Sequence, residues 1–192
     1  MIAQLSKRLA SFFVCRKIIN EEDEAVYEYG LQLLLSTVAN GIIALLIAII
    51  TRTLLQCVLY LAAFVVMRKT AGGYHANTHL GCCCILAVVL FCFISFIKIV
   101  PVDTYILFAL FSIAFSVITI FLFSPLEHKN KPISSEDKIR LKRKSRIYIL
   151  IISAIIIVLR ILNFNTAMIS VALGILTSSG SIVAAKKQKG EK

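Results

Sequence analysis

The chain has 192 residues, 59% of them hydrophobic and only 16% charged, with a mean hydropathy of +0.89. That balance excludes a water-soluble globule, whose composition carries about a quarter charged residues, and makes the bilayer the solvent. Lys and Arg outnumber Asp and Glu by 21 to 10, but the cations are scattered between apolar runs, which argues against a nucleic-acid partner and for membrane topology as their use.

At the start of the chain Ile2, Leu5, Leu9, Phe12 and Phe13 fall at helical spacing, with Lys7, Arg8 and Arg16 off that stripe. The pattern predicts an interfacial amphipathic helix over residues 1–19 that lies on the membrane. Its cations interrupt every short apolar stretch, so a cleaved signal peptide is not expected. Asn20 then stands where it can cap a helix whose first turn holds Glu21, Glu22, Asp23 and Glu24, beside the positive end of the helix dipole.

Apolar runs follow at 31–50, 54–67, 80–97, 102–123, 147–162 and 166–185. They predict an all-α, polytopic fold with about six transmembrane helices filling residues 31–185, in a single integral membrane domain covering 1–192. A crossing takes about 20 residues at about 1.5 Å each, so the run 54–67 is short and is expected to be tilted, recessed or re-entrant. Asn40 and Gly41, inside the first run, fit helix packing better than chemistry.

With the N-terminus inside, eighteen of the 21 basic residues fall in cytoplasmic segments and only Arg52, Lys98 and Arg160 fall outside. Both termini, the loop after the second run and the basic loop 124–146 are then cytoplasmic in a multi-pass protein of the cell membrane. Anionic membrane lipid is the partner expected for that side. Within the basic loop Ser134 holds a capping position three residues before Asp137, and Glu136 sits four residues before Arg140. A helix bearing Lys138, Arg140, Lys142, Arg143, Lys144 and Arg146 is expected to run unbroken into the fifth span.

Polar groups gather next to the apolar core at one place, the stretch Arg68-Lys-Thr-Ala-Gly72-Gly73-Tyr74-His75-Ala-Asn77-Thr78-His79-Leu-Gly81-Cys82-Cys83-Cys84. Gly72 and Gly73 predict a bend or a close backbone approach just before His75. A thiol becomes a strong nucleophile when an imidazole and positive charge stabilise its thiolate, and Cys82, two histidines, Arg68 and Lys69 are the ingredients. The six cysteines read as reduced thiols, since Cys57, Cys84 and Cys92 lie in apolar runs and Cys82 to Cys84 are contiguous. On a continuous helix His79 is the neighbour of Cys82 at i,i+3, whereas His75 lies two turns away, roughly 10 Å along the axis. Helical geometry alone therefore favours His79 as the base, and His75 serves only if the glycine segment doubles back. A metal-binding membrane protease is an alternative, because His75, His79 and Cys82 fall on one helical face, but the run lacks the glutamate of a His-Glu-x-x-His site. A peptide transporter or scaffold is another, although nearly uncharged spans speak against it.

The motif Arg68-x-x-Ala-Gly-Gly-Tyr-His75, with a cysteine seven residues later, resembles the accessory gene regulator B (AgrB) family of bacterial quorum sensing. The size, the basic amphipathic N-terminus and the segment Ser124-Pro-Leu-Glu-His-Lys-Asn-Lys-Pro132 are similar to that family as well. The resemblance implies a membrane cysteine endopeptidase with His75 and Cys82 as the catalytic pair, Arg68 at the oxyanion or substrate, and Gly72 and Gly73 shaping the site. It further implies an AgrD-like propeptide as substrate, cleaved at its C-terminal part and closed into a thiolactone or lactone autoinducing peptide. No cofactor and no metal are expected. Lys142 and Arg143 are expected to meet the acidic part of the propeptide, and a homodimer is one assembly open to the chain.

Overall fold

The computed structural model describes residues 2–73, 79–126 and 135–190, and among these every regular element is helical. The described α-helices are α1 (Ile2–Cys15), α2 (Glu24–Ile50), α3 (Leu54–Ala71), α4 (His79–Ile99), α5 (Tyr105–Phe123), α6 (Ser135–Ile161) and α7 (Asn165–Gly190). Short 3-10 turns at Glu21–Asp23 and Val102–Thr104 lead into α2 and α5.

Among the described residues, four helical stretches are long and apolar enough to cross a membrane: Glu21–Ile50, Leu54–Ala71, Val102–Phe123 and Asn165–Lys187. Cys83–Ile99 is a shorter apolar stretch, and α6 spends its first half on charged residues before turning apolar at Ile147. The fold is thus an all-α polytopic membrane bundle, with four helices meeting both criteria where about six were expected. Bulky apolar side chains such as Leu46, Phe91, Leu107, Phe111, Leu122 and Ile157 point outward, while Ala, Gly and Ser fill much of the interior. This inside-out distribution suits lipid, where large side chains gain nothing by hiding and small ones let backbones approach.

Two expectations are corrected at helix ends. The second run is not stunted: α3 continues past Met67 to Ala71, for 18 residues, about 27 Å of helix and close to a full crossing. Thr70 returns its hydroxyl to the Val66 carbonyl at 3.1 Å, so the polar residues extend the helix without an unmet group. Asn20 makes no side-chain cap. The acidic cluster acts instead through Glu24, whose carboxylate accepts a 2.6 Å bond from the Ser11 hydroxyl. That bond ties α1 to the start of α2, and α1 packs along α2 with Ser6 and Ala10 buried and Leu5 and Phe12 exposed.

Helix α7 is the hub, packing most heavily on α3 and α5 and then on α6. A Cβ added at Gly174 would lie 2.5 Å from the Tyr60 carbonyl oxygen and 3.0 Å from Ala63, so α3 and α7 meet backbone to backbone there. One turn on, the Tyr60 hydroxyl donates to Thr177 at 2.9 Å, and Thr177 donates to the Leu173 carbonyl at 2.8 Å. Gly174→Leu is therefore expected to force the helices apart and to cost about 1–3 kcal/mol, read as a lowered midpoint in detergent melts. An unchanged midpoint would show that the two helices do not touch at this level. Gly41 behaves differently, because a methyl there would meet nothing within 4 Å among the described residues, which show no close packing at that glycine.

Helix α4 reaches the bundle through aromatic rings. Phe93 stacks on Tyr60 at 4.2 Å between centroids, and Phe96 meets Tyr105 at 6.1 Å and the edge of Phe108 at 4.8 Å. The Tyr105 hydroxyl completes the layer by donating to the Ile97 carbonyl at 3.0 Å. These contacts grip the C-terminal half of α4, at the opposite end from its cysteine triplet.

Candidate functional site

The glycine pair ends α3. Gly72 has φ 81° and ψ −157°, a conformation essentially reserved for glycine, and its N–H still reaches the Arg68 carbonyl at 3.2 Å. An added Cβ on Gly72 would lie 2.6 Å from the Leu126 carbonyl oxygen. The same segment is sewn to α3 by a 3.0 Å bond from the Leu126 N–H to the Ala71 carbonyl. The bend and close approach expected from the sequence are both present, and the strand of chain that approaches is the Ser-Pro-Leu segment after α5.

Gly73, with φ 142°, is buried, and a side chain there would run into the Arg68 guanidinium and the Ser181 hydroxyl. Arg68 itself is half-buried. Its Nη1 donates to Ser181 Oγ at 2.8 Å, and its guanidinium lies 6.0 Å from the centre of the Phe64 ring. Ser181 in turn donates to the Ser178 carbonyl at 2.7 Å. The hydroxyl thus accepts from the cation and donates to its own helix, which fixes one arm of the guanidinium fork relative to α7.

Other cations line the same end of the bundle. Lys69 is exposed. Lys186 Nζ sits 3.8 Å over the Phe123 ring, and Arg146 lies 4.8 Å from the Phe121 ring while donating to the Phe121 carbonyl at 3.2 Å. Ser124 and Ser145 share a 2.8 Å bond that clamps the end of α5 to α6. Lys142 and Arg143 are exposed on α6, beside that clamp. Helix α6 carries them without a break into its apolar half, as the sequence predicts. At the far end lie Lys98, in the last turn of α4, and Arg160, whose guanidinium donates to Asn165 at 3.1 Å.

His75 lies outside the described residues. Helix α4 opens at His79, and the backbone of Cys82 falls in its first turn; the side chains of both are outside the described set. Five residues separate Gly73 from His79, so the glycine turn and the start of α4 lie within roughly 22 Å of each other. Cys83 is half-buried and Cys84 exposed; these two, with Cys15, Cys57 and Cys92, are free thiols. Cys57 is buried, with its sulfur 3.5 Å from the Thr53 hydroxyl, as a packed structural thiol would be.

The structure therefore assembles Arg68, Gly72 and Gly73 with two partners that the sequence does not assign to the site, Leu126 and Ser181. Ser181 follows Gly174, Thr177 and Ser178 on a ridge of small residues along α7. That ridge is a sequence signal for close helix packing, but nothing in it names Arg68 as the group met.

The family described as accessory gene regulator B matches residues 6–182. An AgrB-like protein of Listeria innocua is 29% identical over 166 residues, 84% of this chain and 80% of its own length. An AgrB-like protein 2 of Clostridium perfringens is 25% identical over 183 residues, 93% of this chain and 86% of its own. No solved structure matches the chain.

Proposed function

The chain belongs to the accessory gene regulator B family, and from that premise we propose that it is a membrane-embedded cysteine endopeptidase that processes an AgrD-like propeptide for quorum sensing. The observation that carries this reading is the glycine turn at the end of α3. It seats Gly72 against Leu126 and Gly73 against the Arg68–Ser181 pair, a few residues before the helix that bears Cys82.

In the proposed reaction the Cys82 thiolate attacks a backbone carbonyl of the propeptide and His75 takes the thiol proton. Arg68 stabilises the developing oxyanion or holds a carboxylate of the substrate. Collapse of the tetrahedral adduct breaks the C–N bond, His75 returns the proton to the leaving amine, and an acyl-thioester on Cys82 remains. A cysteine of the substrate then attacks that thioester, forming a thiolactone and regenerating the Cys82 thiol. One thioester replaces another, so cyclisation needs no ATP. Lys142 and Arg143 lie at the Arg68 end and are suited to an acidic substrate segment; a Lys142→Glu, Arg143→Glu pair that leaves KM unchanged in inserted protein would rule that contact out.

The experiment is direct. Purified protein in liposomes, given a synthetic propeptide, is expected to release the C-terminal fragment and to carry a hydroxylamine-labile adduct on the peptide containing Cys82. Recovery of intact propeptide with no adduct would overturn the reading.

Orientation follows from the same charges. Arg68, Lys69, Arg146 and Lys186 share one end and Lys98 and Arg160 the other, so the cation-rich end is assigned to the cytoplasm. In a cysteine-free background, Lys69→Cys and Lys142→Cys are expected to resist an impermeant maleimide added outside, while Pro101→Cys reacts. External labelling of both lysine positions would reverse the assignment.

A further inference from the structure

We infer that Ser181 is a positioning residue for the substrate, acting through Arg68, and that α7 thereby sets how strongly this site discriminates in favour of anionic peptide. The inference rests on the reading that Arg68 meets substrate, and adds to it the group that holds the guanidinium in place.

The geometry is specific. Ser181 Oγ accepts from Arg68 Nη1 at 2.8 Å and donates to the Ser178 carbonyl at 2.7 Å, so its lone pair is directed at the cation and its proton is committed elsewhere. Gly73 lies against both partners and leaves no room for a side chain. The contact is therefore three-sided: a cation from α3, a hydroxyl from α7 and a bare backbone from the turn. A planar guanidinium with one N–H committed to Ser181 is held in a restricted plane, which favours a directional approach by a carboxylate over a diffuse one. An unpinned arginine would spread the same donors over many rotamers and lose part of that preference in ordering them.

The surroundings indicate what is recognised. Lys69, Lys186 and Arg146 stand at the same end of the bundle, so the local field favours a segment carrying carboxylates over a neutral one. Ser181 is joined to the bundle through the ridge that begins at Gly174, where α3 and α7 touch backbone to backbone. Its position relative to Arg68 is thus set by a backbone-to-backbone contact between the two helices.

The test uses the full chain with Cys82→Ala, which keeps substrate intact, and measures binding of two synthetic propeptide fragments in nanodiscs. One fragment carries Asp and Glu in its C-terminal segment; its twin carries Asn and Gln. Ser181→Ala is expected to weaken the acidic fragment about tenfold, the scale of a lost hydrogen bond to a charged group, and to leave the amide twin nearly unchanged. In an Arg68→Ala background, Ser181→Ala is expected to add no further loss, because the two residues act as one unit. If Arg68→Ala leaves both fragments unaffected, the reading that Arg68 meets substrate falls. If Arg68→Ala weakens only the acidic fragment and Ser181→Ala is silent, that reading stands and the role of Ser181 falls. Equal weakening of both fragments by Ser181→Ala, a drop in melting midpoint matching that of Gly174→Leu, or failure to recover folded protein would make Ser181 structural and overturn the inference.

Discussion

Cys82→Ala is expected to abolish propeptide cleavage, by a factor on the order of 10⁴ or more, while Cys83→Ala and Cys84→Ala retain it. The reason for such unequal effects of three adjacent thiols is angular. Successive residues on α4 project about 100° apart, so only one of the triplet can face the Arg68 end of α3. Cys84 is exposed and Cys83 half-buried, environments that suit contact with lipid and packing. Cleavage in vesicles, followed by mass spectrometry after thiol alkylation, reads the assignment directly. Retained cleavage in Cys82→Ala, with modification confined to Cys83 or Cys84, would move the nucleophile by one or two positions and with it the face of α4 that forms the site.

The second large effect is expected at His75. With His75 as the proposed general base, His75→Ala should lower turnover by about 10²- to 10⁴-fold, with the protein still present and folded in the membrane. His79→Ala is expected to keep substantial activity. The competition between them is physical. His79 opens α4 three residues before Cys82, on the same helical face, and needs no chain reversal to reach it. His75 comes two residues after Gly73, and at Gly72 and Gly73 α3 has ended and the backbone takes angles open to glycine. The spacing of seven residues to Cys82 matches the family resemblance. Turnover by both variants in the same vesicle assay decides it: loss in His79→Ala with activity in His75→Ala would assign the base to the first turn of α4.

Hydropathy reads the helices of this chain well because lipid enforces one rule on every span, that the backbone must satisfy itself. Each apolar run falls in a helix, and the unbroken course of α6 from Lys138 into its apolar half follows from the lack of any helix breaker between them. End effects were less legible. The extension of α3 through Arg68 and Lys69 runs against hydropathy, since it depends on the helix leaving the apolar layer intact. Asn20 has the residue type of a cap without the contact, and the bond that does form at this helix start, from Ser11 to Glu24, comes from the neighbouring helix.

The site divides along the same line. Gly72 and Gly73 are legible because a glycine pair at the end of a helix has few other uses. Ser181 and Leu126 are not, since each meets α3 only through the folding of the whole bundle: Ser181 is 113 residues from Arg68. A serine on an apolar helix ordinarily bonds its own preceding turn, as Ser112, Ser153 and Ser170 do here. Ser181 also bonds its preceding turn, and only the three-dimensional arrangement reveals the second partner.

The aromatic layer that grips α4 sets an alignment tolerance. Phe93, stacked on Tyr60, lies eleven residues from Cys82, a lever arm of about 16 Å at the helical rise per residue. Each degree of tilt about that layer carries the Cys82 end sideways by about 0.3 Å. Holding a reacting sulfur to within about 1 Å, beyond which rates fall about a hundredfold, therefore requires the axis of α4 to keep its angle to within three or four degrees. A substitution that slims the stacked pair is a disturbance at the fulcrum, and its effect is magnified at the other end of the beam.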